Sequence, residues 1–163
     1  MPTKTETATP QLCSAFLGTG EPGAKGRLKR NAVIPAAEAE LEKAIVQAGA
    51  AKAPRLTPAD IDACIVSEHC FTAAEGCLGE WQYRYDMSEA PAGSMENIPG
   101  PLCCLTFCVL LLRNGFTVTG ESACASPENF NAEVGVRIAR ENAREKIWML
   151  EGYLLRERLN AAQ

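Results

Sequence analysis

The strongest hydrophobic signal in the chain is the run Leu102–Leu112, apolar at every position but Thr106. It shows no period of two, so it predicts a segment buried all round, read here as a core helix. Its 11 residues fall well short of the roughly 20 that a helix needs to cross a membrane. Arg113-Asn114-Gly115 stops the run, and Phe116-Thr117-Val118-Thr119 then alternates apolar with polar, the mark of a strand in a short hairpin. Small residues follow from Gly120 to Ala125. Ser126-Pro127-Glu128-Asn129 then carries the cap and proline chemistry of a helix start. The helix it opens is expected to run to Leu159, burying Val134, Ile138, Ile147, Leu150 and Leu154. Ala139 and Ala143 in its middle would let another helix approach closely, and Gly152 is a candidate kink.

Upstream, Thr57-Pro58-Ala59-Asp60 combines an N-cap, a proline at the first helical position and a residue able to close a capping box. The helix it starts, with Ile61, Cys64 and Ile65 on one face, is expected to end near His69-Cys70-Phe71. Residues 76–101 are rich in Gly and Pro and read as a long loop. Within it, Trp81-Gln82-Tyr83-Arg84-Tyr85 alternates and predicts a short strand, either packed on the core or presenting a platform for bases. Pro35 opens an Ala/Glu-rich helix from Ala36 to about Ala48. Its apolar stripe of Leu41, Ile45 and Val46 is narrow, so loose attachment or a place at an interface is expected. Residues 1–34 have linker chemistry, including Gly18-Thr19-Gly20-Glu21-Pro22-Gly23 and the basic cluster Arg27-Leu28-Lys29-Arg30. The expected fold is mainly α with a short β-hairpin (α+β). It is a single small helical domain over residues 56–160, preceded by a weakly ordered, disordered N-terminal arm, residues 1–55, that carries one helix.

Charge and cysteine usage narrow the chemistry. With 163 residues and a formal net charge of −4, the chain lacks the basic footprint of a nucleic-acid binder. Eight cysteines contain no Cys-x-x-Cys spacing, and three of them lie within the apolar run, where a thiol acts as a small hydrophobe. Without an export signal in Met1–Glu6, they read as reduced thiols in a cytoplasm. His69, Cys70 and Cys77 lack a fourth ligand at zinc-site spacing, so no metal and no cofactor is expected.

No catalytic constellation stands out. His69 is the lone histidine, and Gly120-Glu121-Ser122 matches only the start of a nucleophile elbow. Anion binding is easier to build, because the helix start at Ser126 offers free N–H groups and the positive end of a dipole. Asn129 and Asn131 add amides suited to sugar hydroxyls. Arg137, Arg140 and Arg144 share a helix face with Lys146 nearby. They form either a phosphate-binding set or a salt-bridged surface, with Glu133 and Glu141 spaced to pair with Arg137.

Two stretches also carry a resemblance. One runs from Asn114-Gly115-Phe116 through Gly120-Glu121-Ser122-Ala123-Cys124 and Ser126-Pro127-Glu128-Asn129-Phe130, then Ile138–Ala143, Lys146-Ile147-Trp148 and Leu150–Leu155. The other is Ile65-Val66-Ser67-Glu68 with Phe71-Thr72-Ala73. Together they resemble the small phage proteins named after gene 66 of one phage and gene 49 of another, over roughly residues 56–159. That family includes a Thoeris anti-defence protein, a sponge that holds cyclic ADP-ribose-type signals made by host TIR enzymes without cleaving them. The resemblance implies a non-enzymatic role in the cytoplasm of an infected bacterium, with a cyclic nucleotide as small-molecule partner. It also implies a homo-oligomer, a dimer built into a hexamer, with neither membrane nor nucleic acid as partner. By the matched motif, Asn129 and Ala132 would contact the ligand, Phe116 or Phe71 would supply a stacking ring, and Arg140 or Lys146 positive charge; Ser122 and Ser126 are further ligand-binding candidates in the same stretch. Cys70 stands where the family pattern has an aromatic, and Met149 where it has a proline. Two other classes stay open: a phage early protein that grips a host factor through its helices, and an enzyme that degrades the messenger.

Overall fold

In the computed structural model, the described residues are 36–87 and 97–162. The expectations for residues 1–34 and part of the 76–101 loop lie outside them. The elements run α1 (Ala36–Gln47), α2 (Pro58–Cys64), β1 (Ile65–Thr72), α3 (Ala73–Asp86), a 3-10 turn (Gly100–Cys104), β2 (Leu105–Leu112), β3 (Thr117–Ala123), a second 3-10 turn (Pro127–Asn129) and α4 (Ala132–Ala161). The three strands form an antiparallel sheet in the order β1-β2-β3. Helix α4 lies across one face of it, and the α+β class expected from the sequence holds.

Three elements differ from expectation. The Leu102–Leu112 run is not a helix: after a single 3-10 turn it becomes the central strand β2. A central strand is apolar on both faces, which hides the period of two. The helix that begins at Pro58 stops at Cys64, and Ile65–Thr72 is β1. Trp81–Tyr85 belongs to α3 rather than to a strand. The Thr72 hydroxyl accepts from Glu75 N while the Glu75 carboxylate accepts from Thr72 N at 2.6 Å, a capping box that starts a helix through the aromatics. The start of α2 is as expected, with Thr57 and Asp60 bonded reciprocally.

The hairpin between β2 and β3 turns at Asn114-Gly115. Gly115 takes φ +84°, a conformation that costs glycine little, and Leu112 N donates to Phe116 O at 2.8 Å. Cross-strand register places Thr72, Thr106 and Ser122 in one row, with Cys70, Cys108 and Gly120 in another. Side chains at Thr106, Cys108, Leu110 and Leu112 are buried beneath α4, with Ile61, Val118, Ala139, Ala143 and Ile147 completing the core. Leu105, Phe107, Val109 and Leu111 point to the opposite face and are only half-buried.

Helix α4 reaches the sheet through small residues. Its buried line is Gly135, Ala139, Ala143, Arg144, Ile147 and Glu151. The expected stripe holds at Ile147, with Ala139 and Ala143, and fails at Val134 and Ile138, each 43% exposed. The alanines serve a strand, not a helix. A Cβ on Gly120 would lie 2.1 Å from Ala139 O and 2.3 Å from Ala143 N, so β3 and α4 pack backbone to backbone there. Two side chains reach around this contact to the edge strand: Lys146 Nζ donates to Thr119 O at 2.6 Å, and Asn142 Nδ2 to Glu121 O at 2.8 Å. They occupy carbonyls that would otherwise offer β3 to a passing strand.

Candidate ligand-binding corner

The Thr72–Thr106–Ser122 row ends the sheet where α4 begins. Ser126-Pro127-Glu128-Asn129 does not open α4, as the sequence suggested. It forms a separate 3-10 turn, and the chain extends again through Phe130 and Asn131 before the helix starts at Ala132. Asn131 is the true cap: its Oδ1 accepts from Val134 N at 3.0 Å. Ser126 Oγ instead donates to the Glu128 carboxylate, and that hydrogen bond holds Glu128 below the usual carboxylate range. A negative charge thus stands just ahead of the helix start, which disfavours a bare phosphate at that spot.

What remains open there is polar and uncharged. Asn129 is exposed with its side chain unengaged among the described residues, while its amide donates to Ser126 O at 3.1 Å. Ala132, three residues on, and Ser122, opposite Thr106 in the sheet, are half-buried. Deeper in, Thr106 Oγ1 is buried without a hydrogen-bond partner among the described residues. It would lie 2.8 Å from a Cβ on Gly135, so the first turns of α4 close over it.

The other sequence-predicted site residues are distributed along the sheet. Phe71 is at the same end but on the opposite face, with its ring centroid 6.0 Å from that of Phe107 and its edge against Gly76. Phe116 is 55% exposed at the far end, after the hairpin turn. Lys146 is held on the β3 edge as described. Arg140 lies over β1, where its Nε donates to Glu68 Oε2 at 2.8 Å and its Nη1 to Glu141 Oε1 at 3.3 Å. Burial works against its charge, but the Glu68 bond together with the charges of Glu68, Glu141 and Asp62 outweighs it and keeps the guanidinium above its ordinary range. The structure therefore joins Ser122, Ser126, Asn129 and Ala132 at one end, and places Phe116, Arg140 and Lys146 elsewhere on the same chain.

Arg144 takes a role that sequence reasoning missed. Only 2% of its side chain is exposed. Its Nε donates to Asp62 Oδ1 and its Nη1 to Glu38 Oε1, both at 2.7 Å, and Nη2 reaches Pro58 O at 3.3 Å. Burial opposes the charge, and the two carboxylates overcome it, so this cation is held well above its usual range. It ties α1 and α2 to α4 and is not available to a phosphate. Of the three arginines on that face, Arg137 alone is exposed without an ion pair among the described residues.

Residues 56–159 match the family described as phage protein (N4 Gp49/phage Sf6 gene 66). The chain belongs to that family. The match begins just ahead of α2 and ends within the last turn of α4, so it covers the sheet, the corner and every candidate residue named above. No curated protein and no solved structure matches the chain. Among the described residues, no helix is long and apolar enough to cross a membrane.

Proposed function

We propose that this phage protein binds a cyclic nucleotide messenger of the cyclic ADP-ribose type, made by host TIR enzymes, and withholds it without cleaving it. The setting would be the cytoplasm of the infected host. Membership of the gene-49/gene-66 phage family across residues 56–159 carries the reading. The corner supports it in kind: Asn129, Ser122 and the Ala132 turn offer pre-formed polar contacts on rigid elements, which suits capture without chemistry. One chain alone does not gather ring, amide and cation, because Phe116 and Lys146 lie away from Asn129. A homo-oligomer, a dimer extended to a hexamer, would bring them from a second copy. The half-buried Leu105, Phe107, Val109 and Leu111 supply an apolar face for such a contact.

Mass spectrometry of the small molecule retained from cells with an active TIR defence tests the reading directly. Intact messenger released by heat denaturation is expected; a hydrolysed product would favour an enzyme. Asn129→Ala should leave the melting temperature unchanged, since Asn131 supplies the cap, and weaken binding by about 1–3 kcal/mol through an unpaired ligand hydroxyl. Ala132→Trp should block binding outright. Parent-like affinity in both folded variants would place the site elsewhere.

A second reading, a grip on a host protein, has its own support on the outer side of α4. Met149 is 74% and Tyr153 67% exposed, one helical turn apart. Pull-down from host lysate that depends on these two side chains, with no retained nucleotide, would favour it.

A further inference from the structure

The seven described cysteines form no disulfide, and two of them oppose each other within the sheet. Cys70 in β1 and Cys108 in β2 are direct cross-strand partners on the α4 side of the sheet. Directly opposed residues in an antiparallel pair have Cα atoms about 4.5–5.5 Å apart, whichever of the two ladder positions they occupy. A disulfide accepts Cα separations of about 4.4–6.8 Å. The register therefore already meets the backbone condition for a bond, without moving either strand.

Side-chain partners separate this pair from its neighbours. Cys64 donates its S–H to Asp60 O at 3.2 Å, and Cys124 to Ser126 O at 3.1 Å; both thiols point at backbone. Cys70 and Cys108 instead face each other across β1 and β2. The hydrogen bond from Cys108 lowers the Cys70 thiol below its ordinary range despite burial and the nearby Glu68, and Arg140 adds to the effect. The same bond, with burial, raises Cys108. One sulfur is thus the better thiolate and the other keeps its proton. Access is asymmetric too: Cys108 is fully buried, whereas Cys70 is half-buried on the edge strand β1.

We propose that Cys70 and Cys108 form a redox modification site, at which hydrogen peroxide converts the facing dithiol into a β1–β2 disulfide. The Cys70 thiolate attacks the peroxide and cleaves its O–O bond, giving a sulfenic acid and hydroxide. The Cys108 sulfur then displaces the sulfenyl oxygen, forming the S–S bond; the hydroxyl leaves with the Cys108 proton as water. Two thiols are oxidised by two electrons and one peroxide is reduced to two waters. A small dithiol reductant reverses the step.

The test uses the full chain and hydrogen peroxide. After brief treatment, alkylation in denaturant should show two thiols lost, restored by dithiothreitol. Peptide mapping should place the first crosslink between Cys70 and Cys108. Cys108→Ser should stop at a sulfenic acid on Cys70, trapped by dimedone, and Cys70→Ser should give neither crosslink nor adduct there. Circular dichroism checks that each variant is folded, and Cys70→Ala and Cys108→Ala replace any that is not. Cys104 and Cys124, just beyond the paired ends of β2 and β3, are the competing pair, joined by a 3.0 Å backbone bond from Cys124 N to Cys104 O. A first crosslink at that pair, or a Cys70 that stays alkylatable while other thiols oxidise, would overturn the assignment.

Discussion

The two faces of the central strand are made of much the same residues and end in different states. Toward α4, Thr106, Cys108, Leu110 and Leu112 are sealed; away from it, Leu105, Phe107, Val109 and Leu111 are half-covered. Hydrophobicity does not separate the faces. What separates them is a partner whose shape fits. Helix α4 brings Gly135, Ala139 and Ala143 to the sheet, and β3 answers with Gly120, so backbones meet and the space closes. On the other face α3 packs near Phe71 and Phe107, with Gly76 against the Phe71 ring. Close packing, rather than apolar content, decides which face becomes core.

Three substitutions test that contrast, in falling order of effect. Gly120→Ala drives a methyl group into the α4 backbone, where no side chain can yield. The expected loss is ~4 kcal/mol or more, beyond ordinary overpacking because the obstacle is main chain; urea unfolding measures it, and near-parental stability would show that the backbones are not in contact. Arg144→Ala removes the cation between Asp62 and Glu38 and leaves their charges partly buried. About 3 kcal/mol should be lost, the lower end for a broken buried pair because the carboxylates keep some access to water. Calorimetry checks this, and a change below 1 kcal/mol would mark the triad as a surface bridge. Val109→Lys on the open face should change the stability of the folded chain by only about 0.5 kcal/mol. It should nevertheless shift light-scattering mass toward the monomer if a second copy covers that face. Unchanged mass would move the self-association surface elsewhere.

The sequence made some of this legible and concealed the rest for identifiable reasons. The start of α2 was readable because Thr57, Pro58 and Asp60 encode it locally. The turn at Asn114-Gly115 and the beginning of β3 were readable for the same reason. β2 was not, because a strand apolar on both faces and rich in leucine looks like a buried helix until its neighbours are known. α3 was concealed by an accidental alternation of aromatics, although Thr72 and Glu75, three residues apart, announced its capping box. At the corner, the expectation that Asn129 and Ala132 would contact a ligand came from resemblance to the phage family, whose match spans residues 56–159. The separate 3-10 turn and the Asn131 cap depend on how Phe130 returns the chain to the sheet. Arg144 left no local trace, since its carboxylates are 82 and 106 residues away.

That same guanidinium defines how the molecule comes apart. α1 precedes the family-matched segment and has no fully buried residue. It is held chiefly by charge, through Glu38 to Arg144 and Glu42 to Arg55, the latter at 2.5 and 2.7 Å. Segments with few buried apolar contacts open at a fraction of the global unfolding free energy. α1 is accordingly the element expected to open first. Its loss would leave Asp62 as Arg144's remaining ion-pair partner, so the buried cation would stay paired without it.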